Sequence, residues 1–117
     1  GHVTGVQTCA LPICENWIDL HNLRFIKYGG TLHLDCHLTI PWYFNIHEGH
    51  KEVDELEKIV KNNFGNSVEL MVHTDGCLDF SCKICSKKEC PMRKHGHIKT
   101  IEWTIENISL DNKHRID

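Results

Sequence analysis

The tightest constraint on this chain is a ten-residue alternation at residues 31–40. Leu32, Leu34, Cys36, Leu38 and Ile40 alternate with Thr31, His33, Asp35, His37 and Thr39. A period of two belongs to a strand with one buried face, because successive side chains of a strand point to opposite sides. The apolar set then faces a core, and Cys36 in that set reads as a small buried hydrophobe. Gly29-Gly30 stands just before the alternation. Two successive residues free to take positive φ are a hairpin signal, so residues 23–28 are expected to form the preceding strand. Residues 17–22 show no strong period and read as a lead-in. Pro41 ends the second strand.

A helix is expected next. Asn45 can cap it and Glu48, three residues on, can complete a capping box. Val53, Leu56, Val60 and Phe64 recur at helical spacing, with Ile46 in line before them, and Gly65 suits the position after the last turn. Residues 68–75 alternate again as a third strand, with Glu69, Met71, His73 and Asp75 on one face. Residues 77–97 form a Cys-rich loop. Ile101, Trp103 and Ile105 alternate with Glu102, Thr104 and Glu106, which predicts a fourth strand within residues 98–110. Residues 111–117 read as a polar, frayed tail. The expected architecture is α+β: ββαβ, a Cys-rich loop, then β, as an open two-layer sandwich with one helix against the sheet.

The 117 residues hold ten His and seven Cys, and the net charge is −3 with histidines neutral. A phosphate-binding surface needs clustered Lys and Arg, so nucleic acid is not an expected partner. Seven thiols cannot all pair within one chain. The sequence shows no apolar run of about 18 residues and no secretory signal. A reducing, cytosolic setting follows, where clustered Cys bind metal more often than they pair. No Ser-His-Asp order, phosphate loop or catalytic carboxylate pair stands out, so no enzyme is expected. Residues 1–14 are set aside as a non-native or disordered leader, because Val3 through Ile13 match the translation of a sequencing adapter. Residues 15–76 then form the domain core.

Two groups of metal-binding side chains follow. The first is His37, His50, His73 and Asp75. Imidazole and carboxylate suit zinc or a similar divalent ion. His73 and Asp75 lie two apart on one strand and point the same way, and His37 faces outward on its own strand. Spacing alone leaves a solvated polar face as an equal reading. The second is Cys77, Cys82, Cys85 and Cys90, spaced C-x4-C-x2-C-x4-C. Four thiolates in a short loop can close a tetrahedral zinc shell, and such a site would order a loop too polar to fold on its own core. An iron–sulfur cluster, a redox pair at Cys82 and Cys85, and a loop of free thiols are the alternatives.

The segment Asp19-Leu20-His21-Asn22-Leu23-Arg24, the strand Leu34-Asp35-Cys36-His37-Leu38, the helix start Glu48-Gly49-His50 and the strand end Val72-His73-Thr74-Asp75 occur in that order. Together they resemble the cytoplasmic C-terminal domain of the cation diffusion facilitator family. The resemblance covers about half of the chain, residues 17–75. It implies that His37, His50, His73 and Asp75 bind Zn²⁺ or a similar cation at the contact of a homodimer. It also implies an attached transmembrane domain that exchanges the cation for protons, and a place on the cytoplasmic side of a membrane. Family members usually open this domain with a helix and often carry Pro after the His-x-acidic triplet, where this chain has Gly76-Cys77. A free-standing zinc-binding protein or metallochaperone, or an iron–sulfur or thiol-redox protein, are the competing expectations. The choice among zinc, iron, cadmium, cobalt and manganese is not readable from the residues.

Overall fold

The computed structural model describes residues 15–116. The set-aside leader, and with it Cys9 and Cys14, lies outside the described residues. The elements run β1 (Asp19–Tyr28), β2 (Thr31–Ile40), α1 (Ile46–Phe64), β3 (Val68–Gly76), a 3-10 turn (Asp79–Ile84) and the short helix α2 (Ile105–Ile108). The three strands form one mixed sheet in the order β1-β2-β3, with β1 antiparallel and β3 parallel to β2. This is the expected α+β ββαβ arrangement.

The alternation of β2 does what its period dictates. Cys36, Leu38 and Ile40 join Trp17, Leu20, Leu56 and Ile108 in the main core, and Leu34 packs with Val60 and Val68 at its edge. Burial pushes the Cys36 thiol up to about 12, with the neighbouring Asp35 charge adding to it, so this cysteine stays a neutral, inert hydrophobe. The capping box is present: Glu48 N donates to Asn45 Oδ1 at 2.7 Å, and Asn45 N donates to Glu48 Oε1 at 3.0 Å. Replacing Asn45 with Ala should lower unfolding stability by about 1 kcal/mol, read by urea denaturation; no loss would mean that the first turn holds without its cap.

Three expectations need correction. β1 begins at Asp19, not at residue 23. Its pairing with β2 shifts register between His21 and Arg24, and Asn22 has φ 55°. A bulge there adds a residue and breaks the period of two that identifies a strand. The buried side of α1 is Gly49, Glu52, Leu56 and Val60 rather than the stripe through Val53 and Phe64, and Ile46 is 93% exposed. Gly49 has no side chain where a Cβ would come 3.2 Å from Ile40 Cδ1, so the helix settles close over β2 on that face. Third, no strand forms within residues 98–110. The backbone N–H groups of Ile98 and Lys99 are drawn to Lys83 O instead. Thr104 caps α2 through Asn107 N, and the turn drives Ile108 into the core at 1% exposure. Burial of Trp103 and Ile108 together needs a helical turn, which a strand could not supply.

Candidate functional site

The sheet register assembles the site. On the face away from α1, β1 pairs His21 with His37, and β3 pairs His73 with His37. Three imidazoles therefore stand in a row across three strands. Two residues along β2, Asp19 pairs with Thr39 and Thr39 with Asp75, giving a second row of carboxylate, hydroxyl and carboxylate. Strand geometry alone puts both rows on one face, because each member is an even step from the others.

Within these rows His21, His37 and Asp75 each offer a ligand atom within 4.8 Å of the other two. His37 Nδ1 lies 3.1 Å from Asp75 Oδ2, so the ring N–H donates to the carboxylate, and His21 Nε2 lies 3.6 Å from the same oxygen. His73 stacks on His37 with ring centroids 4.8 Å apart and planes at 18°. Burial holds His21 below the ordinary imidazole value, against the pull of the Asp19 charge. That keeps the ring neutral, the form that ligates a metal. Burial pushes the Asp75 carboxyl up, but hydrogen bonds from His37 and Lys113 and the Lys113 charge outweigh it, so Asp75 sits below the usual carboxylate range. A neutral imidazole beside an anionic carboxylate is the donor set that zinc and its neighbours take. The buried His21 Nδ1 makes no hydrogen bond and lies 3.7 Å from Asp19 Oδ2, which leaves Nε2 as the nitrogen facing Asp75.

The segment after α2 closes over these rows instead of fraying. His114 N donates to Asp19 Oδ2 at 2.8 Å, and the His114 ring meets Asp19 Oδ1 at 2.5 Å. Lys113 Nζ sits 3.2 Å from Asp75 Oδ2. Asp19, His21 and Thr39 are consequently 2%, 4% and 0% exposed on what would otherwise be an open face.

Of the four residues expected in the first group, the structure brings His37 and Asp75 together, sets His73 against His37, and leaves His50 apart. The His50 side chain is 72% exposed and lies 3.5 Å from Asp54, one helical turn on. It faces a cleft of about 400 Å³ that Asp75 also lines. Sequence reading missed His21 as a candidate ligand. The available signal was the short alternation Ile18-Asp19-Leu20-His21, cut off by Asn22, a residue that tolerates the left-handed conformation of a bulge.

The second group begins just past the end of β3 that carries Asp75. Cys77, Cys82, Cys85 and Cys90 all line one cavity of about 20 Å³, beside Trp42 and Tyr43 of the β2–α1 turn. Cys82 Sγ accepts from Lys94 N at 3.4 Å, and Cys90 Sγ accepts from the Tyr43 hydroxyl at 3.5 Å. Burial raises the Cys77 and Cys85 thiols above their ordinary value, and backbone hydrogen bonds from Trp42 and Lys87 oppose this only in part. Among the described residues, the one group of three or more ligand atoms within 4.8 Å of one another is His21, His37 and Asp75, so the four sulfurs stand farther apart than that. Arg93 holds the loop's shape: its guanidinium donates to the carbonyls of Cys82, Cys85, Lys87 and His95 at 2.6–3.0 Å. His97 turns Nδ1 to Cys85 O at 3.1 Å.

Among the described residues no helix is long and apolar enough to cross a membrane. The chain is similar to a structure of CzrB, a candidate zinc transporter, in its zinc form: the TM-score is 0.50 and the identity 23%, over 56% of this chain and 72% of that one. A second CzrB structure matches with a TM-score of 0.46 and 24% identity, over 50% and 71%. At 23% identity the first likeness speaks for the fold alone. No curated protein matches the sequence. The profile of the family described as cation efflux protein, cytoplasmic domain, matches residues 2–77, more than half of the chain. Those residues carry the whole sheet, α1 and the His21–His37–Asp75 group, and the chain belongs to this non-enzymatic family of cation efflux cytoplasmic domains.

Proposed function

We propose that this domain senses a divalent cation, zinc by its donor chemistry, for a proton-coupled cation antiporter to which it is attached on the cytoplasmic side of a membrane. The observation that carries the reading is the convergence of His21, His37 and Asp75 from three strands on one point. His37 and Asp75 bind the ion together with His21. His73, stacked on His37, and His50, across the cleft from Asp75, complete the shell from the same domain or from its copy in a homodimer. The cation favours one arrangement of the two domains, and that preference biases the membrane part. Linkage requires only that the ion bind one arrangement more tightly than the other.

Calorimetric zinc titration combined with sedimentation velocity tests this. The wild-type chain should bind zinc and shift toward dimer as zinc rises, and His37→Ala should weaken both. Equal binding and equal dimerisation in the variant would remove His37, and with it the reading.

Lys113 supplies a second prediction. Its ammonium already neutralises Asp75, so an arriving cation must displace it. A part-exposed pair of this kind is worth up to about 1 kcal/mol, which corresponds to about fivefold in affinity. Lys113→Gln should tighten zinc binding by about that factor in the same titration. Unchanged or weaker binding would show that the ammonium and the metal do not share the carboxylate.

A further inference from the structure

We propose that Cys77, Cys82, Cys85 and Cys90 form a tetrathiolate zinc site, separate from the His21–His37–Asp75 group, that fastens the end of β3 to the turn before α1. It lies almost wholly beyond the family match, which ends at residue 77.

Four observations converge. First, the four thiols come from three separate places, the end of β3, the 3-10 turn with the residue after it, and the loop beyond, yet all line one cavity. Second, two of the sulfurs accept hydrogen bonds from the surrounding chain: Cys82 Sγ from Lys94 N at 3.4 Å and Cys90 Sγ from the Tyr43 hydroxyl at 3.5 Å. These contacts tie two of the four sulfurs to the β2–α1 turn and to the loop around them. Third, Lys87, Arg93 and Lys94 line the same cavity. A zinc ion with four thiolates carries net negative charge, which these cations offset. Fourth, a cavity of about 20 Å³ has room for roughly one water-sized body. That suits a single ion.

The four sulfurs stand farther apart than the ligands of a closed zinc shell. Zinc binding replaces each thiol proton, which passes to solvent, with a Zn–S bond and draws the sulfurs inward. The loop is already pre-shaped by Arg93, so the movement needed is local. Cys77 N also donates to Ile40 O at 3.0 Å, which keeps the site in line with the β2–β3 ladder. Cys77 follows Asp75 by two residues, and Gly76 between them packs so closely on Trp42 that a Cβ would come 3.0 Å from Trp42 Cβ. A metal here therefore fixes the strand end that presents Asp75 to the other site.

Cobalt substitution tests the proposal on this chain. Wild-type protein loaded with Co²⁺ should show intense thiolate-to-cobalt charge-transfer bands. His37→Ala should keep them, and Cys82→Ser/Cys85→Ser should lose them together with about one zinc per chain by elemental analysis. The His37→Ala control separates the two sites, so failure here leaves the sensing reading standing. Because the double variant removes two side chains that pack in the loop, alkylation mapping of the wild-type chain gives an independent readout. Zinc should protect Cys77, Cys82, Cys85 and Cys90 from iodoacetamide, and a chelator should restore their reaction. Equal alkylation with and without zinc, cobalt spectra free of thiolate bands, or iron with labile sulfide in the purified protein would each overturn the proposal.

Discussion

Replacing His114 with Ala should destabilise the domain by about 3 kcal/mol. Removing one partner of a buried ion pair costs about 3–5 kcal/mol, because the other partner stays buried without compensation. The side chains of His114 and Asp19 are 9% and 2% exposed, which puts the pair in that class. The backbone N–H of residue 114 still donates to Asp19 Oδ2 in the variant, so the lower end of the range applies. The ring also spans to Asn107 O at 2.8 Å, so its loss loosens α2 and with it Ile108. The hydrogen bond to Asp19 raises the His114 pKa, against the effect of burial, and the Asp19 charge and the Asn107 carbonyl add to the rise. A raised imidazole pKa contributes stability that is fully present below the unfolded value of about 6.5 and is lost as pH rises through the folded value. Urea denaturation should accordingly show the widest gap between wild type and variant below about pH 6.5 and a narrower one at alkaline pH. A gap that widens with pH, or no gap at all, would contradict the pairing.

Asp75→Asn should weaken zinc binding by about 100-fold or more, since even residues that only orient a ligand are worth about 10–100-fold. Asp75 Oδ2 is the point on which the site turns, with His37 at 3.1 Å, Lys113 at 3.2 Å and His21 at 3.6 Å. The Asn side chain keeps the shape and removes the charge, so the loss should appear in affinity and not in folding. The Asp75 side chain is 26% exposed, which keeps its contribution to stability small beside that of Asp19. Competition with a chelator of known zinc affinity reads the change. Affinity within a few fold of wild type would take Asp75 out of the coordination.

The contrast between these two carboxylates shows what the sequence could and could not reveal. Asp75 was legible because it sits in a clean alternation, two residues from His73, on a strand whose bounds the period fixes. β2, the hairpin and the cap of α1 were legible for the same reason: each depends on residues within a few positions of one another. Asp19 and His21 were not, because the bulge at Asn22 hid the strand that carries them. His114 and Lys113 were hidden more deeply. A polar segment reads as frayed when its partners are unknown, and these partners lie 95 and 38 residues away in sequence. The short alternation around Trp103 misled in the opposite direction. Three alternating residues are too few to separate a strand from an extended lead into a turn, and the stack of Trp103 on Trp17, with centroids 6.2 Å apart, is a long-range contact that local pattern cannot foresee. The Cys spacing was legible as metal chemistry, but the contact of Tyr43 with Cys90, 47 residues away in sequence, was not.

Both candidate metal positions bear on β3. Asp75 turns toward the imidazole row, and Cys77, on the same side of the strand two residues later, meets the Cys loop. Gly76 locks the backbone between them against Trp42.

Anomalous scattering at the zinc edge from zinc-soaked crystals tests the sensing site most directly. A strong peak bonded to His37 and Asp75 is expected, with His21 in contact and Lys113 swung away from the carboxylate. A map with zinc bound elsewhere and the His21–His37–Asp75 group uncoordinated would contradict it.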